Sequence, residues 1–186
     1  MSRLRLIAAA LIVTSRLGST ADAAAPPAGG VRARPPAEAV LAGAAKAARA
    51  EKKNVLVLFH ASWCGWCRKL EAVLAAPGIA EVVGRHFVRA ELTVFERGER
   101  KETENAGAET FLESVAGSDA GLPFTAVLDA RTRKPIATSN LAGPGTNVGF
   151  PSKEEEVDHF VGLLRKGAPR MTPAEEAAVR AAFSPR

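Results

Sequence analysis

The sequence predicts an α/β protein: a central mixed β-sheet flanked by helices, with an added N-terminal helix and a C-terminal helical tail. Three observations predict it. Val55-Leu56-Val57-Leu58-Phe59 is a continuous apolar run, as expected of a central strand covered on both faces. From Pro36 to Val94 the pattern reads helix, strand, helix, strand, which pairs two strands in parallel through a crossover. About seven residues separate the apolar segments 124–128 and 136–141, too few for a helical crossover, so these two form an antiparallel hairpin.

Pro36 to Lys53 is alanine-rich, with Val40, Leu41, Ala44 and Ala48 at helical spacing, and Asn54 breaks it. The apolar strand follows, and His60-Ala61-Ser62-Trp63 is a short connection. A helix from about Cys64 to Ala76 carries Leu70, Val73 and Leu74 on one face, and Pro77-Gly78 ends it. Ile79 to Gly84 reads as a short helical turn and Phe87 to Val94 as the second strand. Glu96 to Glu104 is a charge-dense loop. Ala106 to Val115 is a weaker helix with Phe111, Leu112 and Val115 on its apolar face. Gly121-Leu122-Pro123 signals a turn before the third strand, Phe124 to Leu128. Asp129 to Pro135 turns into a fourth strand, Ile136 to Leu141. Ala142 to Pro151 is a long Gly/Pro loop, which either borders the functional site or simply connects. Ser152 with Glu155 makes a capping box for a helix whose stripe is Val157, Phe160, Val161 and Leu164. Thr172, Pro173 and Glu175 repeat the start signal for a last helix through Phe183.

The chain has 186 residues and a formal charge of +5, enough length for one domain with extensions. The charges are mixed in sign, and no basic stripe is interleaved with aromatics, so nucleic acid is not the expected partner. Residues 1–23 read as a secretory signal. Arg3 and Arg5 precede the apolar Leu6 to Val13, and Ala21-Asp22-Ala23 is a small-x-small cleavage site, although Arg16 cuts the apolar stretch short. The run is shorter than the roughly 20 residues that span a bilayer. Residues 24–36 form a flexible lead-in. A periplasmic or secreted location is therefore expected.

Residues 63–67 read Trp-Cys-Gly-Trp-Cys, with the only two cysteines of the chain. The pair follows a strand pattern and opens a helix pattern. Cys64 then lies near unpaired N–H groups at the helix start, where a thiolate, the reactive form, is stabilised. Cys67 falls one turn further on the same face. The spacing supports an attacking thiol at Cys64, the more exposed and more acidic, with Cys67 resolving the mixed disulfide. A zinc site needs four ligands, and His60, His86 and His159 are scattered. Covalent haem attachment needs a histidine where Arg68 stands. No metal or organic cofactor is expected, only the redox couple Cys64–Cys67. A structural bridge stays open as an alternative, although so short a loop constrains the unfolded chain little.

The stretch Phe59 to Cys67 resembles the active-site segment of the thioredoxin superfamily, and Gly121-Leu122-Pro123 resembles its cis-proline loop. The element order is similar over residues 37–166, with 167–186 left as a C-terminal helical tail. The nearest likenesses are exported single-domain thioredoxin-like proteins and, around Ala90 to Thr93 and Gly121 to Pro123, the C-terminal domain of the DsbD-type thiol reductant transporter. The resemblance implies a thioredoxin-like fold and thiol–disulfide exchange with protein thiols. It makes Cys64 the nucleophile, Cys67 the resolving thiol and Pro123 the cis-proline that holds substrate backbone. Leu122 offers its backbone to the substrate, and Trp63, Gly65 and Trp66 complete the contact surface. The electron donor or acceptor is another dithiol protein, membrane-bound in one version of the reading.

The departures from the family are specific. Where many thioredoxins carry a buried aspartate, six residues before the first cysteine, this chain has Leu58. Glu91 on the next strand is a candidate replacement, against the alternative of an exposed strand carboxylate. His60 either favours the thiolate by its charge or lies in solvent. Gly65-Trp66 is neither the Gly-Pro of reducing thioredoxins nor the Pro-His of strong oxidants. A potential near about −270 mV marks a reductant and one near about −120 mV an oxidant. Rival readings are a reductant dedicated to one pathway, such as cytochrome c maturation, and a binding module with a vestigial or structural disulfide.

Overall fold

The computed structural model describes residues 33–183; the leader read at 1–23 and most of the lead-in lie outside the described residues. Four strands, β1 (Asn54–His60), β2 (Phe87–Thr93), β3 (Phe124–Leu128) and β4 (Pro135–Thr138), form one mixed sheet in the order β2-β1-β3-β4. β1 runs parallel to β2 and antiparallel to β3, and β3 and β4 form the hairpin. Six helices surround the sheet: α1 (Ala37–Ala50), α2 (Gly65–Ala75), α3 (Pro77–His86), α4 (Ala108–Ala116), α5 (Glu154–Gly167) and α6 (Pro173–Ala182).

The period of two in β1 divides the core. Leu56 and Leu58 face Leu70 and Leu74 of α2 and Phe160 and Leu164 of α5. Val55, Val57 and Phe59 face Leu41, Ala45 and Ala48 of α1 and Leu112 of α4. All five apolar residues of the run are buried, which is why its sequence is continuous rather than alternating.

Four boundaries differ from the sequence reading. The short turn expected at 79–84 is a helix of 10 residues that starts at Pro77. Proline ends one helix but suits the first turn of the next, where its missing N–H has no partner to lose. The helix expected from Ala106 is α4 from Ala108, because Gly107 sits at φ 80, a left-handed position that closes the preceding turn. The fourth strand stops at Thr138 rather than Leu141. There the Ser139 N–H still donates to Thr125 O at 2.8 Å, but Ser139 Oγ, not its carbonyl, accepts the Thr125 N–H at 2.9 Å, so a side chain takes over half of the pairing. The capping box sits one residue later than Ser152–Glu155. Glu156 accepts from the Ser152 N–H (2.9 Å), Ser152 Oγ (3.0 Å) and the Lys153 N–H (3.1 Å). Those bonds, the Ser152 N–H first, hold its carboxyl below the usual range.

The charge-dense loop contains a 3₁₀ helix, Gly98–Thr103. The loop 142–151 lies against α4: a Cβ on Gly117 would come within 2.7 Å of Pro144 Cβ, so only glycine permits this approach.

At the start of α6, Glu175 accepts from the Thr172 N–H at 2.7 Å and also binds Arg85 (2.8 Å) and His86 (3.1 Å) on α3. The Thr172 N–H, with His86 and Arg85, pushes its carboxyl down to about 2 from the ordinary 4.5. A depressed carboxyl stabilises the fold above its unfolded pKa and stops doing so as pH falls through the folded value. Glu175→Gln is therefore expected to lower the thermal midpoint by a few degrees at pH 7, about 1 kcal/mol of cap and docking energy. The gap between variant and wild type should narrow between pH 4.5 and pH 2. A gap that stays constant over that range would disprove the linkage.

Candidate active site

β1 delivers the chain to the site and α2 carries it away. After His60 the chain turns through Ala61 to Trp63, and the Cys64 N–H bonds Ala61 O at 3.0 Å. Cys64 is the N-cap of α2, one position before its first helical residue, and its Sγ accepts from the Cys67 N–H at 3.1 Å. The sulfur thus receives one of the donors that a helix start leaves unpaired. Cys64 and Cys67 are joined in a disulfide with an S–S distance of 2.11 Å. In this closed form Cys64 is 4% exposed and Cys67 1%, and both pack with Ala61 and Leu122. The Leu122–Pro123 peptide bond is cis.

The two tryptophans that flank Cys64 have different surroundings. Trp63 donates from Nε1 to Phe95 O at 2.6 Å and lies under the Arg97 guanidinium, 4.2 Å from the ring centre. Trp66 is 53% exposed, stacks on Phe150 with centroids 5.6 Å apart, and carries Lys69 Nζ at 4.0 Å. Gly65 is exposed between them, and a Cβ built there would meet only the Arg68 guanidinium, at 3.8 Å.

Neither group named for tuning the thiols bonds to a sulfur. Glu91 lies opposite Leu58 in register, as expected for a replacement, but β2 is the edge strand. Its carboxylate is half-exposed and engaged by Arg89 at 2.6 Å, so it is the exposed strand carboxylate. His60 is not loose in solvent. Its Nδ1 meets Glu71 Oε1 on α2 at 2.8 Å and its Nε2 meets Thr93 Oγ1 on β2 at 3.1 Å. It ties the end of β1 to both neighbours. Among the described residues no group of three or more His, Cys, Asp or Glu side chains is placed to hold a metal ion.

Sequence reasoning missed Glu96. Its carboxylate is 6% exposed and accepts from both the N–H and the hydroxyl of Ser62, each at 2.7 Å. Its own N–H is held by Glu104 at 2.7 Å, and Glu104 in turn pairs with Lys101 at 3.0 Å. Phe95, Glu96 and Arg97 therefore grip Trp63, Ser62 and Trp63 again, fixing the turn that presents Cys64. In the sequence Glu96 is one acid among several in a charged loop, and nothing local marks it as buried. Glu96→Ala removes two hydrogen bonds from Ser62 to a carboxylate, which costs about 1–3 kcal/mol and several degrees of thermal midpoint. Glu96→Gln, which keeps one acceptor oxygen, should lose less. The Ser62 amide is the local probe: faster hydrogen exchange is expected in Glu96→Ala, and unchanged protection there would show that the grip is not what holds the turn.

The site thus has a disulfide at a helix N-cap, packed against the residue that precedes a cis-proline. The family model described as thioredoxin-like matches residues 37–130. The chain belongs to the thioredoxin-like family. Solved structures similar to it include the disulphide isomerase from Xylella fastidiosa Temecula1, at 22% identity and TM-score 0.43, covering 55% of this chain and 72% of that one. A DsbH oxidoreductase aligns at 19% identity and TM-score 0.42, over 94% of this chain and 96% of its own. The pneumococcal exposed lipoprotein thioredoxin Etrx1 from Streptococcus pneumoniae strain TIGR4 aligns at 20% identity and TM-score 0.39, over 62% and 86%. No curated protein matches the sequence. A thioredoxin-like chain with its cysteines paired across Cys-Gly-Trp-Cys is a thiol–disulfide oxidoreductase. Thioredoxin-like oxidoreductases act on protein thiols and disulfides. Among the described residues no helix is long and apolar enough to cross a membrane.

Proposed function

We propose that the protein works outside the cytoplasm, exchanging disulfides with protein substrates through Cys64 as the attacking thiol and Cys67 as the resolving one. One observation carries the assignment of roles: Cys64 Sγ caps α2 and accepts the Cys67 N–H, so the helix start stabilises negative charge on that sulfur. In the reducing direction the Cys64 thiolate attacks a substrate disulfide. The substrate S–S bond breaks, a mixed disulfide forms, and one substrate sulfur leaves as thiolate. The Cys67 thiolate then attacks Cys64 Sγ, closing the 64–67 bond and releasing the second substrate sulfur. Two electrons pass to the substrate, whose thiolates take up protons, and another dithiol protein restores the pair. The oxidising direction is the same sequence reversed.

In this reading Leu122 offers backbone groups to an extended substrate segment, with Trp63, Gly65 and Trp66 beside it; its packing on the disulfide next to Pro123 supports this. Export is supported by the basic, apolar and small-residue order of the first 23 residues. The test is twofold. Purified protein should accelerate insulin reduction by dithiothreitol, and the reading fails if it adds nothing to the uncatalysed rate. Mass spectrometry of protein recovered from the producing cell should show a mature chain that begins after Ala23 or Ala25. Recovery of the unprocessed chain in the cytoplasmic fraction would remove the export assignment.

A further inference from the structure

One wall beside the dithiol is built by residues outside the segment 37–130 that the family shares. Asn147 fastens the loop 142–151 to the cis-proline turn: its Nδ2 donates to Gly121 O at 2.7 Å and to Pro123 O at 3.0 Å, spanning Leu122. Its Oδ1 accepts from Ser139 Oγ at 2.7 Å and the Gly149 N–H at 3.1 Å. Phe150 follows, and its ring belongs to an aromatic row that links the dithiol to the C-terminal tail. Trp66 and Phe150 lie 5.6 Å apart, Phe150 and Phe183 5.6 Å, and Phe183 and Phe160 5.1 Å.

Trp66, Leu122, Val148 and Phe150 bound a groove of about 280 Å³. That is room for one large side chain, at the small end of the roughly 300–1,000 Å³ of small-molecule sites. The acid at its end, Glu156, directs Oε2 to Ser152 and the Lys153 N–H, and Lys153 Nζ lies 3.8 Å from its Oε1. Leu122 borders the groove on one side and packs against Cys64 and Cys67 on the other, so one side chain separates the groove from the sulfurs.

We propose that Phe150 is a specificity-determining residue: the groove takes a large apolar side chain next to the cystine in an extended segment of a protein substrate. Phe183 of the tail is a positioning residue that holds Phe150 against Trp66. The inference rests on the thiol–disulfide exchange reading. The test uses the reduced full chain with two disulfide-bonded peptides that differ only in leucine or serine beside the cystine, and with hydroxyethyl disulfide. Each peptide's kcat/KM is divided by the same preparation's rate on hydroxyethyl disulfide, so loss of folded protein or of thiol reactivity cancels. Wild type should favour the leucine peptide by about tenfold or more. Phe150→Ala should bring the ratio close to one, through KM. Phe183→Ala should lower it part-way, and Phe183→Leu should restore most of it. A wild type without preference, or a Phe150→Ala that keeps the full preference, overturns the proposal. Inactivity of wild type toward all three compounds overturns the exchange reading itself and this inference with it.

Discussion

Cys64→Ser is expected to reduce disulfide exchange to the uncatalysed background, in insulin reduction and in oxidation of a dithiol alike. A serine hydroxyl at the α2 N-cap would still accept the Cys67 N–H, so the fold keeps its cap. What disappears is the sulfur: an alcohol carries no usable anion at neutral pH and forms no mixed disulfide. Cys67 cannot take over, because it lies inside α2, past the N-cap position where the helix start stabilises a thiolate. Cys67→Ala should behave differently. The attack proceeds once, the resolving step has no nucleophile, and mixed disulfides on Cys64 accumulate. Intact-mass measurement after addition of an oxidised peptide distinguishes the two: an adduct on Cys67→Ala and none on Cys64→Ser. Repeated turnover by Cys64→Ser, or an adduct carried by Cys67 in that variant, would reverse the assignment of roles.

The parts of this fold that depend on short-range pattern are readable in the sequence. The five apolar residues of β1, the hairpin of β3 and β4 and the stripe of α5 each follow from a local period, and the cysteine pair declares its chemistry within four positions. Two local signals mark the right place but carry a different sense. Pro77 ends α2 and also starts α3, and the acid that caps α5 is Glu156, one residue past Glu155. What the sequence leaves invisible is long-range. Glu96 reaches Ser62 across 34 positions, and Phe150 meets Trp66 only because Asn147 and Pro144 fix its loop. Periodicity tells which face of an element is buried. It does not tell which distant residue covers it: nothing local separates Glu91, exposed on the edge strand β2, from Glu96, buried against Ser62.

Gly167, the last residue of α5, illustrates the same point in packing. Its replacement by alanine should give a larger stability loss than any single exposed-surface change. Glycine to alanine near a helix end ordinarily stabilises by about 0.4–1 kcal/mol, because the unfolded chain loses freedom. Here a Cβ would lie 2.3 Å from Val127 Cγ1 and 3.0 Å from Phe87 Cε1. Both neighbours are buried, and Val127 is β-branched and stiff at χ1, so neither side chain can turn away. Overpacking of this kind costs about 1–3 kcal/mol or more, which exceeds the entropic gain. The α5 end would have to lift from the sheet, and with it the Gly167 carbonyl that accepts Asn54 Nδ2 at 2.8 Å at the start of β1. A fall of several degrees in thermal midpoint follows for a chain of this size. Val127→Ala supplies the control. Alone it leaves a cavity and destabilises; combined with Gly167→Ala it vacates the space the new methyl needs. The double variant should therefore be more stable than the sum of the two losses allows, by roughly 1 kcal/mol or more of coupling. Additive losses in chemical denaturation would show that Gly167 is required for some reason other than the contact with Val127.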